Sequence, residues 1–321
     1  MKPYLVDVPV LMIFFIRPDT FQQVFDRVRE VRPSKLYLCQ DGPRPNRPDD
    51  IENIAKCRAI AENIDWECEV HKNYSEINYG CDPNVYRGLK WIFEQEDRMI
   101  MLEDDAVPSL SFFPFCKEMF ERYENDTRIH MISSFNLAEQ WDCPYDYFFS
   151  YTGTMSGGWG MWRRSWEQRN ETLDIVNDDY AVKLFKSYYK PWYAANCEIN
   201  SLKRRFGEIK RENKITTFES VVGIGRLFNA QMSIIPARNM LNNIGMTANA
   251  THGTSNLKHH PRKVQKIFFM NTYEFTTSIK HPPYVMPDNF YFKEVSSILG
   301  FFPVVSLWRK VESRIRRMLF K

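Results

Sequence analysis

Residues Val10 to Ile16 form an unbroken apolar run, the pattern of a strand buried on both faces. The run stops at Arg17-Pro18-Asp19-Thr20. Phe21, Val24, Phe25 and Val28 then recur at helical spacing until Pro33 closes the segment. Leu36-Tyr37-Leu38-Cys39 predicts a second strand, ending in the turn Gln40-Asp41-Gly42-Pro43. Strand, helix and strand in this order predict a βαβ unit and hence a parallel sheet. The rhythm continues with a helix through Ile51, Ile54 and Ala55 and an alternating strand through Trp66, Cys68 and Val70. Asp82-Pro83 reads as an N-cap with proline at the first helical position, before the face Val85, Tyr86, Leu89, Ile92 and Phe93. Met99-Ile100-Met101-Leu102 is a further buried strand that runs straight into Glu103-Asp104-Asp105. Ser109 is placed to cap the next helix, whose apolar positions run from Phe112 to Tyr123, and Ile129 to Ile132 supply one more strand.

From about residue 140 the alternation gives way to aromatic, glycine-rich and basic segments. The expected organisation is one α/β domain in two halves, residues 1–140 and 141–295, followed by a helix over 296–321. In that last segment Val304, Trp308, Val311, Ile315, Met318 and Leu319 form an apolar stripe ringed by Arg309, Lys310, Arg314, Arg316, Arg317 and Lys321. Such a helix fits peripheral contact with an anionic membrane face, and it fits packing on the domain equally well.

Composition changes this picture little. The 321 residues are 44% hydrophobic and 26% charged, as in an ordinary globular protein with a sizeable core. A formal charge of +3 gives no argument for a nucleic-acid partner. The seven cysteines are scattered without a Cys-x-x-Cys pair, which predicts reduced thiols rather than a disulfide framework or zinc site. With no leader-like or membrane-length apolar run, the expected location is cytoplasmic, peripheral on the inner membrane face if the terminal helix binds there.

In an open α/β sheet, ligands bind beyond the carboxyl ends of the strands. Arg17, Asp41 and the Glu103-Asp104-Asp105 run all fall there. Three consecutive carboxylates beside an apolar strand repel one another unless a cation neutralises them, and Mn2+ or Mg2+ takes such oxygen ligands while leaving positions for substrate phosphates. A solvated acidic turn is the plainer alternative.

The segment Met101-Leu102-Glu103-Asp104-Asp105, with Pro108 and Phe112-Phe113, resembles the metal-binding segment of GT-A glycosyltransferases related to N-acetylglucosaminyltransferase I. It is similar above all to bacterial nucleotide-diphospho-sugar transferases of surface-polysaccharide synthesis. The likeness extends to Phe15-Ile16-Arg17-Pro18, to Gln40-Asp41-Gly42-Pro43-Arg44, to the run from Gly157 to Arg164, and to Asn243-Ile244-Gly245 with Ala250-Thr251-His252. Together these span roughly residues 8 to 255. The resemblance implies a GT-A, mainly parallel α/β sheet and a nucleotide-sugar donor, with a UDP-sugar favoured. It implies that Asp41 contacts the base, that Arg17 lies beside the nucleotide, and that Asp105 is the direct metal ligand, with Glu103 and Asp104 facing the ribose or metal-bound waters. Asp41 as turn chemistry alone stays open.

An inverting transferase needs a carboxylate to deprotonate the acceptor hydroxyl. The family places an aspartate between aromatic residues shortly before the stretch that reads here Ile234-Ile235-Pro236. Thr217-Phe218-Glu219-Ser220 matches it, so Glu219 is the candidate base and Glu198 the fallback. Glu219 departs from the family's aspartate and lacks the second aromatic. His252 is a candidate metal or diphosphate ligand, or a structural histidine. Gly158 is expected to let backbone approach the sugar and Trp159 to wall the acceptor side, unless Trp159 is simply core. The acceptor implied is a glycan or a lipid-linked sugar. A sugar-nucleotide nucleotidyltransferase is the first alternative, although Ile16-Arg17-Pro18-Asp19 lacks the glycine-rich phosphate loop such enzymes carry. A non-catalytic carbohydrate-binding relative is the second.

Overall fold

The computed structural model describes residues 1–189, 191–246, 257–275 and 278–319. The first half alternates β1 (Val6–Phe14), α1 (Pro18–Val31), β2 (Pro33–Gln40), α2 (Pro48–Ala61), β3 (Glu69–Tyr74), α3 (Cys81–Phe93) and β4 (Arg98–Glu103). A short β5 (Ala106–Pro108), α4 (Phe112–Arg122) and β6 (Ile129–Ser133) follow. The second half holds β7 (Tyr147–Ser150), β8 (Gly158–Trp162), α5 (Arg163–Trp166), α6 (Asp179–Tyr188), α7 (Trp192–Glu212), α8 (Phe218–Phe228), β9 (Met232–Pro236) and β10 (Leu241–Asn243). It closes with α9 (Arg262–Gln265), α10 (Asn289–Leu299) and α11 (Pro303–Leu319).

One sheet of eight strands organises the molecule in the order β3-β2-β1-β4-β8-β6-β9-β7. β1, β2, β3 and β4 pair in parallel. β8 runs antiparallel to both β4 and β6, which keeps β6 and its parallel neighbour β9 in the direction of β1. Only β8 and the edge strand β7 oppose the rest. This is the α/β architecture with a mainly parallel, helix-flanked sheet that the alternation predicts. β8, from the second half, lies between β4 and β6 of the first, so strands of both halves interleave in one sheet.

The apolar run of β1 is buried on both faces because helices cover both sides of the sheet. Val10, Met12 and Phe14 pack with Phe21, Val24 and Phe25 of α1 and with α4. Leu11 and Ile13 point the other way, against Val85, Leu89 and Ile92 of α3. β4 repeats the division, with Ile100 and Leu102 on the first side and Met99 and Met101 on the second. Period-two side chains inside a continuous apolar strand are thus shared between two cores.

Local details depart from expectation where tertiary contacts compete. Trp66 is fully buried, yet β3 begins only at Glu69; the indole instead donates to the Pro33 carbonyl at 2.9 Å. α3 starts one residue before Asp82, and the Asp82 carboxylate accepts the Phe218 N–H at 3.2 Å across the site. Ser109 does not cap α4: the N-cap is Ser111, which makes no side-chain cap bond. Glu274 instead holds the turn before the helix by accepting from the N–H groups of Leu110 and Ser111 at 2.9 and 2.7 Å.

Candidate functional site

Parallel pairing sets Ile13 of β1 beside Glu103 of β4, so both strands deliver their next residues to the same point. Beyond β1, Pro18 opens α1 at its first position, where a missing N–H costs nothing. Phe15 donates its backbone N–H to Asp104 at 3.1 Å. The Arg17 guanidinium donates to Asp105 Oδ2 at 2.7 Å and to Asp104 Oδ1. One arginine therefore clamps the second and third carboxylates of the acidic run. Arg17 is expected beside a nucleotide; its hydrogen bonds in the structure go to the carboxylates.

The charge balance remains negative. Burial pushes Glu103 well above the usual carboxylate range, and the neighbouring charges of Asp105 and Glu219 add to that shift. Burial also raises Asp104, to about 6, against the opposing charge of Arg17. Desolvation alone would lower the Arg17 pKa, but Asp104 and Asp105 outweigh it and hold it above its ordinary value. The second oxygen of Asp105, Oδ1, is buried without a hydrogen-bond partner among the described residues. Among those residues no three His, Cys, Asp or Glu side chains converge as a ready metal cage.

Asn243-Ile244-Gly245 closes over this point. Ile244 donates its N–H to the Asp105 carbonyl at 2.9 Å, and Gly245 donates to the Asn243 side chain at 2.9 Å. A Cβ on Gly245 would lie 2.8 Å from the Asp105 Cγ and closer still to Oδ2. Glycine is required there by the carboxylate beneath it.

Asp41 stands at the end of β2 with both oxygens engaged. Gly42 and Tyr79 donate to Oδ1 at 3.1 and 2.9 Å, and Gly80 donates to Oδ2 at 2.9 Å. Burial raises its pKa, with the three N–H groups pulling the other way. The carboxylate fastens the 76–80 loop, a task a base-contact reading does not foresee. Asn78 completes that loop by donating to the Gly42 carbonyl at 2.8 Å.

Between these groups lies a cavity of about 180 Å3, lined by Phe15, Arg17, Asp41, Arg44, Glu103 and Asp104 among others. It is smaller than the ~300–1,000 Å3 of most small-molecule sites, so a ligand held there extends outside it. A second cavity of about 510 Å3 holds Glu219 and Glu198 together with Arg205 and Arg226. Glu198 and Arg205 are two helical turns apart on α7, and Glu219 and Arg226 two turns apart on α8. Each helix thus presents one acid and one arginine to the same space. That seven-residue spacing is visible in the sequence, but the two arginines escape a reading confined to carboxylates. Glu219 is exposed, and Thr217 Oγ1 donates to it at 3.4 Å. Glu198 is half-buried, and burial raises its pKa against the charges of Arg226 and Arg205. A larger cavity of about 570 Å3, lined by Trp141, Tyr145, Arg238 and Tyr273, contains none of the predicted site residues.

Two expectations are corrected. Trp159 is fully buried and packs in the core with Met101 and Met161, so it walls no acceptor site. Gly158 is buried too. A Cβ there would meet Leu241 at 3.0 Å and Leu102 at 3.1 Å, so the glycine serves close packing of β8 rather than approach to a sugar. Because side chains alternate across β8, Gly158 and Gly160 share one face with Trp162, while Trp159 and Met161 take the other. His252 lies outside the described residues.

No family model and no curated protein matches the chain. Among solved structures, a UDP-glucose pyrophosphorylase complexed with UDP-glucose is 10% identical at a TM-score of 0.35, over 74% of this chain and 93% of that one. Mouse xyloside xylosyltransferase 1 is 10% identical at a TM-score of 0.32, over 71% and 81% of the two chains. A mannose-1-phosphate geranyltransferase from Thermus thermophilus is 10% identical at a TM-score of 0.34, over 76% of each chain.

Proposed function

We propose that the chain transfers a sugar from a nucleoside-diphosphate sugar, a UDP-sugar by preference, to a hydroxyl of a glycan or lipid-linked acceptor. The observation that carries this reading is the acidic run at the carboxyl end of β4, clamped by Arg17 yet keeping a buried, unpartnered Asp105 oxygen. Mg2+ and Mn2+ need only one or two protein carboxylates when substrate phosphates supply further oxygens. Asp105, with Glu103 beside it, is a sufficient donor set on those terms. Bound there, a divalent cation would supply positive charge to the departing diphosphate.

The chain's own groups divide the remaining work. Arg17 adds a fixed positive charge next to the diphosphate, most useful as negative charge grows on the leaving oxygen. Asp41 holds the loop that walls the small cavity, and the nucleoside enters between that loop and Phe15. The acceptor occupies the larger cavity, where Glu219 takes the proton of its hydroxyl as the oxygen attacks the anomeric carbon. The bond from that carbon to the diphosphate breaks as the new one forms, which inverts the centre. Glu219 is suited to this by position, because its charge is felt at Glu103 on the donor side while its side chain lines the acceptor side.

Thermal shift with UDP, GDP and their sugar derivatives, in Mn2+ or in chelator, tests the donor site. Stabilisation by UDP that requires Mn2+ supports the reading. Equal stabilisation in chelator overturns the cation bridge, and no response to any nucleotide overturns the function.

A further inference from the structure

α11 meets the rest of the chain through its polar side. Arg309 donates to the Ser297 carbonyl at 3.0 Å and to that of Ile298, capping the end of α10. Glu312 accepts from the Arg262 N–H and from Arg316 Nε, each at 3.0 Å, and Arg316 reaches the Lys258 carbonyl at 3.3 Å. Arg309, Glu312 and Arg316 follow one another at three- and four-residue steps and so share one helical face. The opposite face is apolar and open. Val304, Leu307, Trp308, Val311, Ile315 and Met318 are 40 to 80% exposed. A helix packed on a soluble domain turns its apolar stripe inward, so α11 is seated the other way round. A continuous exposed apolar face of this kind marks an interaction surface.

Charge says what covers it. Lys310, Arg314 and Arg317 are exposed along the flanks of the stripe. Beside the helix runs a groove of about 630 Å3 lined by Arg262, Lys263, Arg309 and Arg316 together with Val305 and Trp308. Its one acid, Glu312, is already held by Arg262 and Arg316. Cations around an apolar groove suit phosphate headgroups with their acyl chains. A second copy docked on the same face would set these cations against their own counterparts.

We infer that the α11 face lies on an anionic phospholipid bilayer, its apolar side chains at the headgroup boundary and the exposed cations Lys310, Arg314 and Arg317 on lipid phosphates. Asn289–Leu319 is the one stretch among the described residues long and apolar enough, by length and composition, to cross a membrane. α10 nevertheless buries Tyr291, Phe292 and Val295 in the domain, and Gly300 at φ +79° divides it from α11. Lying on the surface is the arrangement this fold allows. The inference is independent of the sugar-transfer reading.

Co-sedimentation of the full chain with vesicles tests it, using phosphatidylcholine alone and an equal mixture with phosphatidylglycerol. Each basic side chain at an anionic surface adds about fivefold to partitioning, so uptake by the mixed vesicles should exceed that by phosphatidylcholine at least ~tenfold. The double variant Leu307→Ser/Trp308→Ser should lower uptake by about tenfold or more with an unchanged thermal midpoint, since both side chains are exposed. Arg314→Glu/Arg317→Glu should erase the preference for anionic vesicles. Absence of sedimentation with either vesicle overturns the inference, as does equal uptake of the apolar variant. It also falls if vesicles take up nothing and the wild-type chain is a dimer that the apolar variant breaks.

Discussion

Arg17 Nη1 donates to Asp105 Oδ2 at 2.7 Å, while Oδ1 of the same carboxylate is buried with no partner among the described residues. The arginine neutralises the acidic run only in part. Arg17→Met should therefore leave Asp104 and Asp105 without their counter-charge and cost about 3–5 kcal/mol. The urea midpoint at pH 7.5 reports this, and added Mn2+ should restore part of the loss in the variant. An unchanged midpoint would show that Arg17 contributes nothing to holding these carboxylates.

Gly245 lies where any side chain would meet the Asp105 carboxylate. In Gly245→Ala the new methyl must push the carboxylate aside, because its Cβ would stand 2.8 Å from Asp105 Cγ. The expected cost is about 1–3 kcal/mol of stability, with loss of the Mn2+-dependent part of nucleotide stabilisation. A variant that keeps both the midpoint and the Mn2+ response would mean the 243–245 segment moves freely from the carboxylate.

Glu219→Gln keeps the size of the side chain and removes its basicity. Turnover should fall by about 10^2-fold or more, while the thermal shift with UDP and Mn2+ stays as in the wild type. Glu198→Gln is the control in the same cavity and should change turnover less. If their effects are reversed, Glu198 is the base.

His130 on β6 gives a pH test that needs no ligand. Burial holds its pKa well below the usual histidine value, with the charges of Arg226 and Arg164 adding to the effect. The unfolded chain therefore takes up a proton near pH 6.5 that the folded chain refuses. Stability from this residue is complete above about pH 6.5 and is lost as pH falls below it, by at most ~1.4 kcal/mol per pH unit. His130→Met should flatten the decline in urea midpoint between pH 7.5 and 5.5. An unchanged slope would place the titrating group elsewhere.

Much of the arrangement around the acidic run was legible along the chain. A buried strand ending in Glu103-Asp104-Asp105 and another ending at Arg17 can be aligned from the βαβ rhythm alone, because parallel strands bring their carboxyl ends to one edge. The cavity that holds Glu219 was less legible. Glu219 and Glu198 could be nominated, but their meeting in one cavity depends on how α7 and α8 pack. The aromatic and glycine-rich run around Trp159 was ambiguous for a simple reason. A tryptophan between glycines looks the same whether its face meets a sugar or a core, and the antiparallel insertion of β8 between β4 and β6 put it in the core.

The sequence by itself determined the parallel half of the sheet and the place of the acidic run, because hydrophobic period and turn chemistry are local and survive in one dimension. Tertiary structure alone decided where the charges go. Arg17 closes on carboxylates 87 and 88 residues away, and Asp41 spends both oxygens on backbone N–H groups. It also turned the apolar stripe of α11 outward, since Arg309, Glu312 and Arg316 found partners on the domain. Hydrogen-bond and ion-pair partners so distant in sequence follow no local period, so only the packed chain could name them.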